Sequence, residues 1–356
     1  MGGFRRGFTN RSPLVLLVAA LLLVPALLGV QWLFTSGIWT LVPLERCLRN
    51  REDSFTYVSW TVGRARRQPP GTPGIYVLGG SSARESIVSG ESLAAEVHGA
   101  GGPRAVAYDL GSINQNFAES MAVLDTAPDT PAWLLIGVNL GRFTATREEN
   151  AVQAEGREFL LRSSAVHRFV AGEWGLEKHS YTILPGIYAY LTDWARANGR
   201  ALLRGKSRTV EYELHRYTAD KVFSRRKKES LVAFWNRKRY PVFERNLASN
   251  LEMLEELLRR GRERGVRVVM FELPLNEEIV RGRFDYAQRQ YRRPLAALAR
   301  EYDAAYLDLN QEVDIPSEDF RDLSHLVEPG RVIWQSALAA ALVELMNAEG
   351  TEGESG

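Results

Sequence analysis

Twenty-two consecutive residues, Pro13 to Phe34, carry no charge: PLVLLVAALLLVPALLGVQWLF. As a helix rising about 1.5 Å per residue, such a run is roughly 30 Å long, enough to cross the hydrocarbon core of a bilayer. Arg5, Arg6 and Arg11 precede it, and Trp32 and Trp39 sit near its far end. Basic residues on the N-terminal side predict a cytoplasmic N-terminus (residues 1–12), with the remainder of the chain outside. No A-x-A cleavage pattern follows, and the run exceeds a usual signal-peptide core. The expectation is an uncleaved single-pass anchor over residues 13–34. Pro25 is tolerable inside a membrane helix.

The chain has 356 residues, so a sizeable core can form beyond the anchor. Residues 35–73 read as a juxtamembrane connector ending in the turn-rich RRQPPGTPG (Arg66 to Gly74). Short apolar runs then recur: GIYVLGG from Gly74, RAVAYDLG from Arg104, AWLLIGVN from Ala132, VRVVMFELP from Val266 and AAYLDL from Ala304. Helical patterns separate them, among them Asn116 to Asp125, Phe243 to Gly265, residues 286–301 and Arg331 to Met346. Strand–helix alternation with continuous apolar strands predicts an α/β fold with a parallel, doubly covered sheet. Residues 145–240 break the pattern and read as a large insertion rich in Arg, Tyr and Trp, mostly helical. Residues 347–356 read as a disordered tail, so the main domain is expected over 74–346.

Composition removes several function classes. A net charge of +2 gives no global electrostatic case for nucleic acid. A single cysteine, Cys47, rules out an internal disulfide. His98, His167, His179 and His215 lack metal-ligand spacing, and no phosphate-binding glycine fingerprint occurs, so neither a metal nor a cofactor is expected. The clusters SRRKKES (Ser224 to Ser230) and NRKRY (Asn236 to Tyr240) are either a solvated helix face or a contact for anionic headgroups or a polyanionic glycan.

Sites in open parallel sheets form beyond the carboxyl ends of the strands. The loops there contain GGSS (79–82), GSINQN (111–116), GVNL (137–140) and, late in the chain, RDLSHLVEPG (321–330). A serine at a tight glycine turn, amide and backbone donors, and an Asp-x-x-His are the parts of an acyl-transfer site. Serine needs a base, histidine needs a carboxylate to orient it, and the developing oxyanion needs preorganised donors.

These four blocks, in this order, resemble the SGNH/GDSL hydrolase superfamily. With the leading anchor, the chain resembles its membrane-anchored members, the DltD family and cell-surface polysaccharide O-acyltransferases and esterases. The resemblance spans the sheet residues and not the insertion. It implies an α/β/α sandwich, flavodoxin-like in its sheet, with Ser81 as nucleophile, His325 as base and Asp322 orienting it. Ser82 is the alternative nucleophile, one residue along. The oxyanion hole would be made by the Ser81 N–H, the Asn139 side chain and a backbone N–H in the Gly111–Asn114 turn. Gly80 and Leu140 stand where the family pattern usually has Asp, and Asn114 where it has Gly. The expected function is acyl transfer or ester hydrolysis on O-acyl groups of a cell-surface or exported glycan, outside a bacterial cell membrane and without cofactor. Partners would be the membrane, a membrane-embedded acyltransferase, and a glycan or lipid-linked acyl substrate. A lipid esterase, or a catalytically silent scaffold for such an acyltransferase, remains open.

Overall fold

The computed structural model describes residues 13–353 apart from residues 70, 129–131, 158–160, 162, 177–182 and 205–208. Arg5, Arg6 and Arg11 and the end of the tail therefore lie outside the described residues, as does His179.

Helix α1 (Pro13–Thr35) is long and apolar enough to cross a membrane, and its side chains are exposed from Leu14 through Gly29. Helix α2 (Ser54–Ala65) lies in the stretch expected as a connector, but it belongs to the folded domain. Asp53 caps it by accepting from the Thr56 N–H, and Val58, Val62 and Ala65 enter the main core. Those three fall at i, i+4 and i+7, one apolar stripe of a helix.

The sheet has five strands, all parallel: β1 (Gly74–Leu78), β2 (Val106–Asp109), β3 (Ala132–Val138), β4 (Arg267–Glu272) and β5 (Ala305–Leu307). All five expected strands are present. Their order is β2-β1-β3-β4-β5. The chain leaves β1 toward one edge for β2, then returns across it to β3. That reversal opens a crevice between the carboxyl ends of β1 and β3. Leu78 pairs with Ile136, so Ser81 and Asn139, each three residues further on, leave the sheet as neighbours.

Alternation divides the strand residues between two cores. Tyr76, Leu78, Leu134, Ile136, Val268 and Met270 face α2, α5 (Phe117–Thr126), α10 (Tyr240–Glu263) and α12 (Asp285–Glu301). Ile75, Val77, Leu135, Val269 and Phe271 face α4 (Gly90–Gly99) and α13 (Glu328–Gly353). Burial on both faces explains why the strands read as unbroken apolar runs.

The insertion is mostly helical where described, with α6 (Arg147–Arg157), α7 (Ser164–Gly172), α8 (Ile183–Leu203) and α9 (Arg225–Phe234), while residues 209–218 are irregular. It is not one appendage. Val166, Val170 and Trp174 join the main core, whereas Ile187 and Tyr190 of α8 pack on Val30, Phe34 and Trp39 at the end of α1. Helix α13 runs through Gly353, past Met346 where a tail was expected. The sequence from Asn347 to Thr351 holds no proline, and Gly350 alone strongly disfavours the helix there.

Candidate active site

Strand β1 ends at Leu78 and the chain turns at once. Gly79 has φ 152°, and a Cβ there would lie 2.5 Å from the Ala83 Cβ. Only glycine fits this turn. Its N–H donates to Gln115 Oε1 (2.7 Å), and its carbonyl accepts from the Ser112 N–H (3.0 Å), tying the turn to the loop after β2. Gly80 is conformationally ordinary and has open space where a Cβ would go. Ser81 then opens the short helix α3 (Ser81–Arg84), half-buried, and its N–H has no acceptor among the described residues.

His325 arrives from the opposite end of the chain on a loop that folds back on itself. Phe320 bridges Leu326, and the Arg321 N–H donates to the His325 carbonyl at 2.8 Å. Asp322 builds the turn by accepting the Ser324 and His325 N–H groups at 3.0 and 3.1 Å. The same carboxylate lies 2.9 Å from His325 Nδ1 through either oxygen. That partner places the ring proton on Nδ1 and leaves Nε2 to accept. Nε2 is 2.8 Å from Ser81 Oγ. Burial alone would raise the Asp322 carboxyl. Facing His325, with hydrogen bonds from the imidazole and from two N–H groups, it is instead held down at about 2. It is therefore ionised at neutral pH and fixes the imidazole.

Ser82, the alternative nucleophile, is buried. Its Oγ pairs with Ser324 Oγ at 3.0 Å and stands 3.4 Å from His325 Nε2. The shorter approach belongs to Ser81.

The remaining expected residues divide. Asn139 follows β3, and its Oδ1 accepts the Arg142 N–H at 3.2 Å, which turns its NH₂ into the group free to donate. Asn114 has φ 55°, left-handed, and lines the same cavity as Ser81. Gly111 does not contribute a donor: its N–H is taken by Asp109 Oδ1 at 3.0 Å. An aspartate two residues before a backbone N–H captures it locally, so of the two residues expected in this turn Asn114 alone keeps an N–H without an acceptor among the described residues.

Two features escape a reading of the sequence. Glu85, fully buried, accepts the Arg216 N–H (2.9 Å) and contacts Arg84 Nη2 (3.2 Å), Arg331 Nη2 and His215 Nδ1 (3.4 Å). Arg331 Nη2 also donates to the carbonyls of Leu326 (3.0 Å) and Tyr217 (2.6 Å). This cluster joins the serine helix to the histidine loop through α13. His215, which sequence alone leaves without a role, is one of its members. The second is Arg142, buried behind Asn139 with its guanidinium 4.4 Å from the Phe117 ring and Nη2 donating to Ser120 Oγ. Burial pulls it down to about 9. The basic cluster at 224–230 is partly consumed: Lys228 is buried with Nζ donating to the Ser317 carbonyl, and Arg225 pairs with Glu229 and Glu278.

Ser81, Asp322, His325, Asn114 and Asn139 all open onto one cavity of about 910 Å³. Among the described residues, no group of three or more His, Cys, Asp or Glu side chains is arranged to hold a metal. No protein-family model and no curated protein matches this chain.

Proposed function

We propose that the chain is a membrane-anchored serine acyltransferase or esterase of the SGNH type, acting outside the membrane on an O-acyl ester. The observation that carries this reading is the continuous relay from Ser81 Oγ through His325 to Asp322, opening on a cavity at the sheet's switch point. His325 Nε2 takes the hydroxyl proton as Ser81 Oγ attacks the ester carbonyl. The Ser81 N–H, the Asn139 amide and the Asn114 N–H supply donors for the oxyanion. The tetrahedral intermediate collapses by breaking the bond to the leaving oxygen, which receives the proton from His325. Water or an acceptor hydroxyl then attacks the acyl-serine, giving its proton to Nε2, and Ser81 regains its proton as the acyl group departs. Asp322 stays ionised throughout. A surface glycan or a lipid-linked acyl donor is the substrate that suits an anchored enzyme. A silent scaffold would have no need of an oriented Ser–His–Asp set.

The test is labelling of the full chain, in lipid nanodiscs, by a fluorophosphonate. Wild type and Ser82→Ala should be labelled, and Ser81→Ala and His325→Ala should not. Labelling that survives Ser81→Ala and disappears in Ser82→Ala would move the nucleophile. No labelling of wild type would refute the reading.

A further inference from the structure

The cavity around Ser81 has two unlike sides. Where the chain leaves β2 and β3, the wall is polar, with Asn114, Asn116, Thr144, Thr146 and Glu149. These residues brace one another: Asn116 Nδ2 reaches the Glu149 carbonyl, and Glu149 Oε2 accepts the Thr146 N–H at 2.9 Å. Beyond β4 the wall is mainly apolar, although Arg239, Glu272 and Gln288 also line the cavity. Leu323, between Asp322 and His325, starts it; its carbonyl takes the Asn276 N–H at 2.9 Å, which joins it to the loop after β4. Leu231, Phe234, Trp235, Val242 and Phe284 continue it.

Most of that apolar wall comes from one rod. Helices α9 and α10 are joined without a break by a π-helical turn, Trp235–Arg239. Leu231, Phe234, Trp235 and Val242, on either side of and within that turn, all line the cavity. A π turn widens the helix and re-aims the side chains around it, which is why such turns collect at functional sites. Trp235 is locked by Phe284, ring centroids 4.8 Å apart, and by Phe243 at 6.1 Å. Phe234 nonetheless leaves 48% of its surface exposed. Phe234 and Trp235 lie between the two basic clusters in the sequence. In three dimensions they belong to the site.

We infer that this wall receives a medium- or long-chain aliphatic acyl group, with its ester carbonyl at Ser81 and the leaving or accepting hydroxyl compound on the polar side. The inference rests on the acyl-transfer reading above and deepens it. An acetyl group would leave nearly all of the 910 Å³ and the whole Leu231–Val242 face wet. Clefts of this size and lining hold ligands much larger than acetate. An aliphatic chain removes apolar surface on both partners, each methylene gaining roughly fourfold in binding when fully covered. With the wall open on one side, a two- to fourfold gain per methylene is expected. The chemistry is the ordinary balanced transfer: the serine oxygen–acyl bond forms, the acyl–alkoxide bond breaks, and the proton passes through His325 Nε2.

The experiment uses the full chain in nanodiscs and a series of alkyl phosphonofluoridates carrying ethyl, butyl and octyl groups. In each, Ser81 Oγ bonds to phosphorus, fluoride leaves and the proton goes to His325. The second-order labelling constant should rise by about sixtyfold or more from ethyl to octyl. Phe234→Asp and Leu231→Asn should each collapse the octyl-to-ethyl ratio toward one. Phe234 is exposed enough that folding is not at stake, and if a variant did fail to fold the wild-type series would decide alone. Equal labelling by all three probes would overturn the acyl-chain inference and leave the serine enzyme standing. A ratio that survives both substitutions would overturn the assignment to this wall. Labelling by none would overturn both readings.

Discussion

Replacing Glu85 by Gln tests whether the buried charge cluster, and not only local turn geometry, sets serine against histidine. Gln keeps the size and still accepts the Arg216 N–H, but it leaves Arg84 and Arg331 both cationic, both buried, and facing each other across a neutral amide. Removing one partner of a buried ion pair costs about 3–5 kcal/mol, because the other charge remains without compensation. At about 2.1 cal/mol/K of unfolding entropy per residue, a chain of 356 residues loses only ~1.3 °C of melting temperature per kcal/mol, so a fall of about 4–7 °C is expected. The pH dependence has a definite sign. Burial opposes ionisation of Glu85, yet His215, Arg331, the Arg216 N–H and Arg84 together hold its carboxyl below the usual carboxylate range. A depressed folded-state value means the contribution is complete above about pH 4.5 and is lost as the pH falls through that lowered value. The gap between wild type and Glu85→Gln should therefore be widest near neutrality and close in acid. Arg331 also holds the Leu326 carbonyl beside His325, so fluorophosphonate labelling should slow as well. Thermal unfolding in nanodiscs at pH 7 and pH 3, with labelling rates at pH 7, reads all three effects. Equal melting temperatures at pH 7, or a gap unchanged at pH 3, would refute the argument.

Asn139→Ala should lower the rate of acyl-enzyme formation by about 10²–10³, the usual cost of losing one oxyanion donor, without changing the melting temperature by more than a few degrees. Stopped-flow acylation measures it, and a wild-type rate would remove Asn139 from the site. Asp109 carries the opposite pH signature to Glu85. Burial raises its carboxyl to about 7, so stability should decline from about pH 4 to pH 7 as the unfolded chain ionises and the folded one does not. The drop is on the order of 4 kcal/mol, from about three pH units of difference. Asp109→Asn keeps the acceptor for the Gly111 N–H and should flatten that slope in thermal unfolding; an unchanged slope would assign it elsewhere.

The strands were legible because both faces of the sheet are buried, which forces unbroken apolar runs closed by turn residues. Ser81, Asp322 and His325 were legible for a different reason: a glycine turn at a strand end and an Asp-x-x-His spacing each constrain local geometry, and both constraints held. Helix α2 is marked in the sequence by Asp53 followed by Val58, Val62 and Ala65, although the proline-rich stretch after it reads as a connector. Gly111 was misassigned because which N–H groups remain free depends on a neighbouring side chain, here Asp109. Glu85, Arg84, His215 and Arg331 could not have been found. Each is an ordinary charged residue in sequence, and their burial arises only where the serine helix, the insertion and the final helix meet. Phe234 and Trp235 lay inside a basic stretch, and only the π turn decides which way such side chains project.

The packing of Ile187 and Tyr190 on Val30, Phe34 and Trp39 has a mechanical meaning. An anchor joined through a loose linker lets its cargo swing through a hemisphere and sample substrates at many heights. Here the end of α1 is clamped by the domain it carries: the Tyr190 hydroxyl donates to the Cys47 carbonyl at 2.7 Å, and its ring meets Phe34 edge-on at 5.8 Å. With α1 in a bilayer, the mouth of the cavity would stand at one altitude and one tilt. Encounters would then be set by how densely esters are displayed within that thin slab, and lengthening the stalk of a displayed ester would carry it out of range.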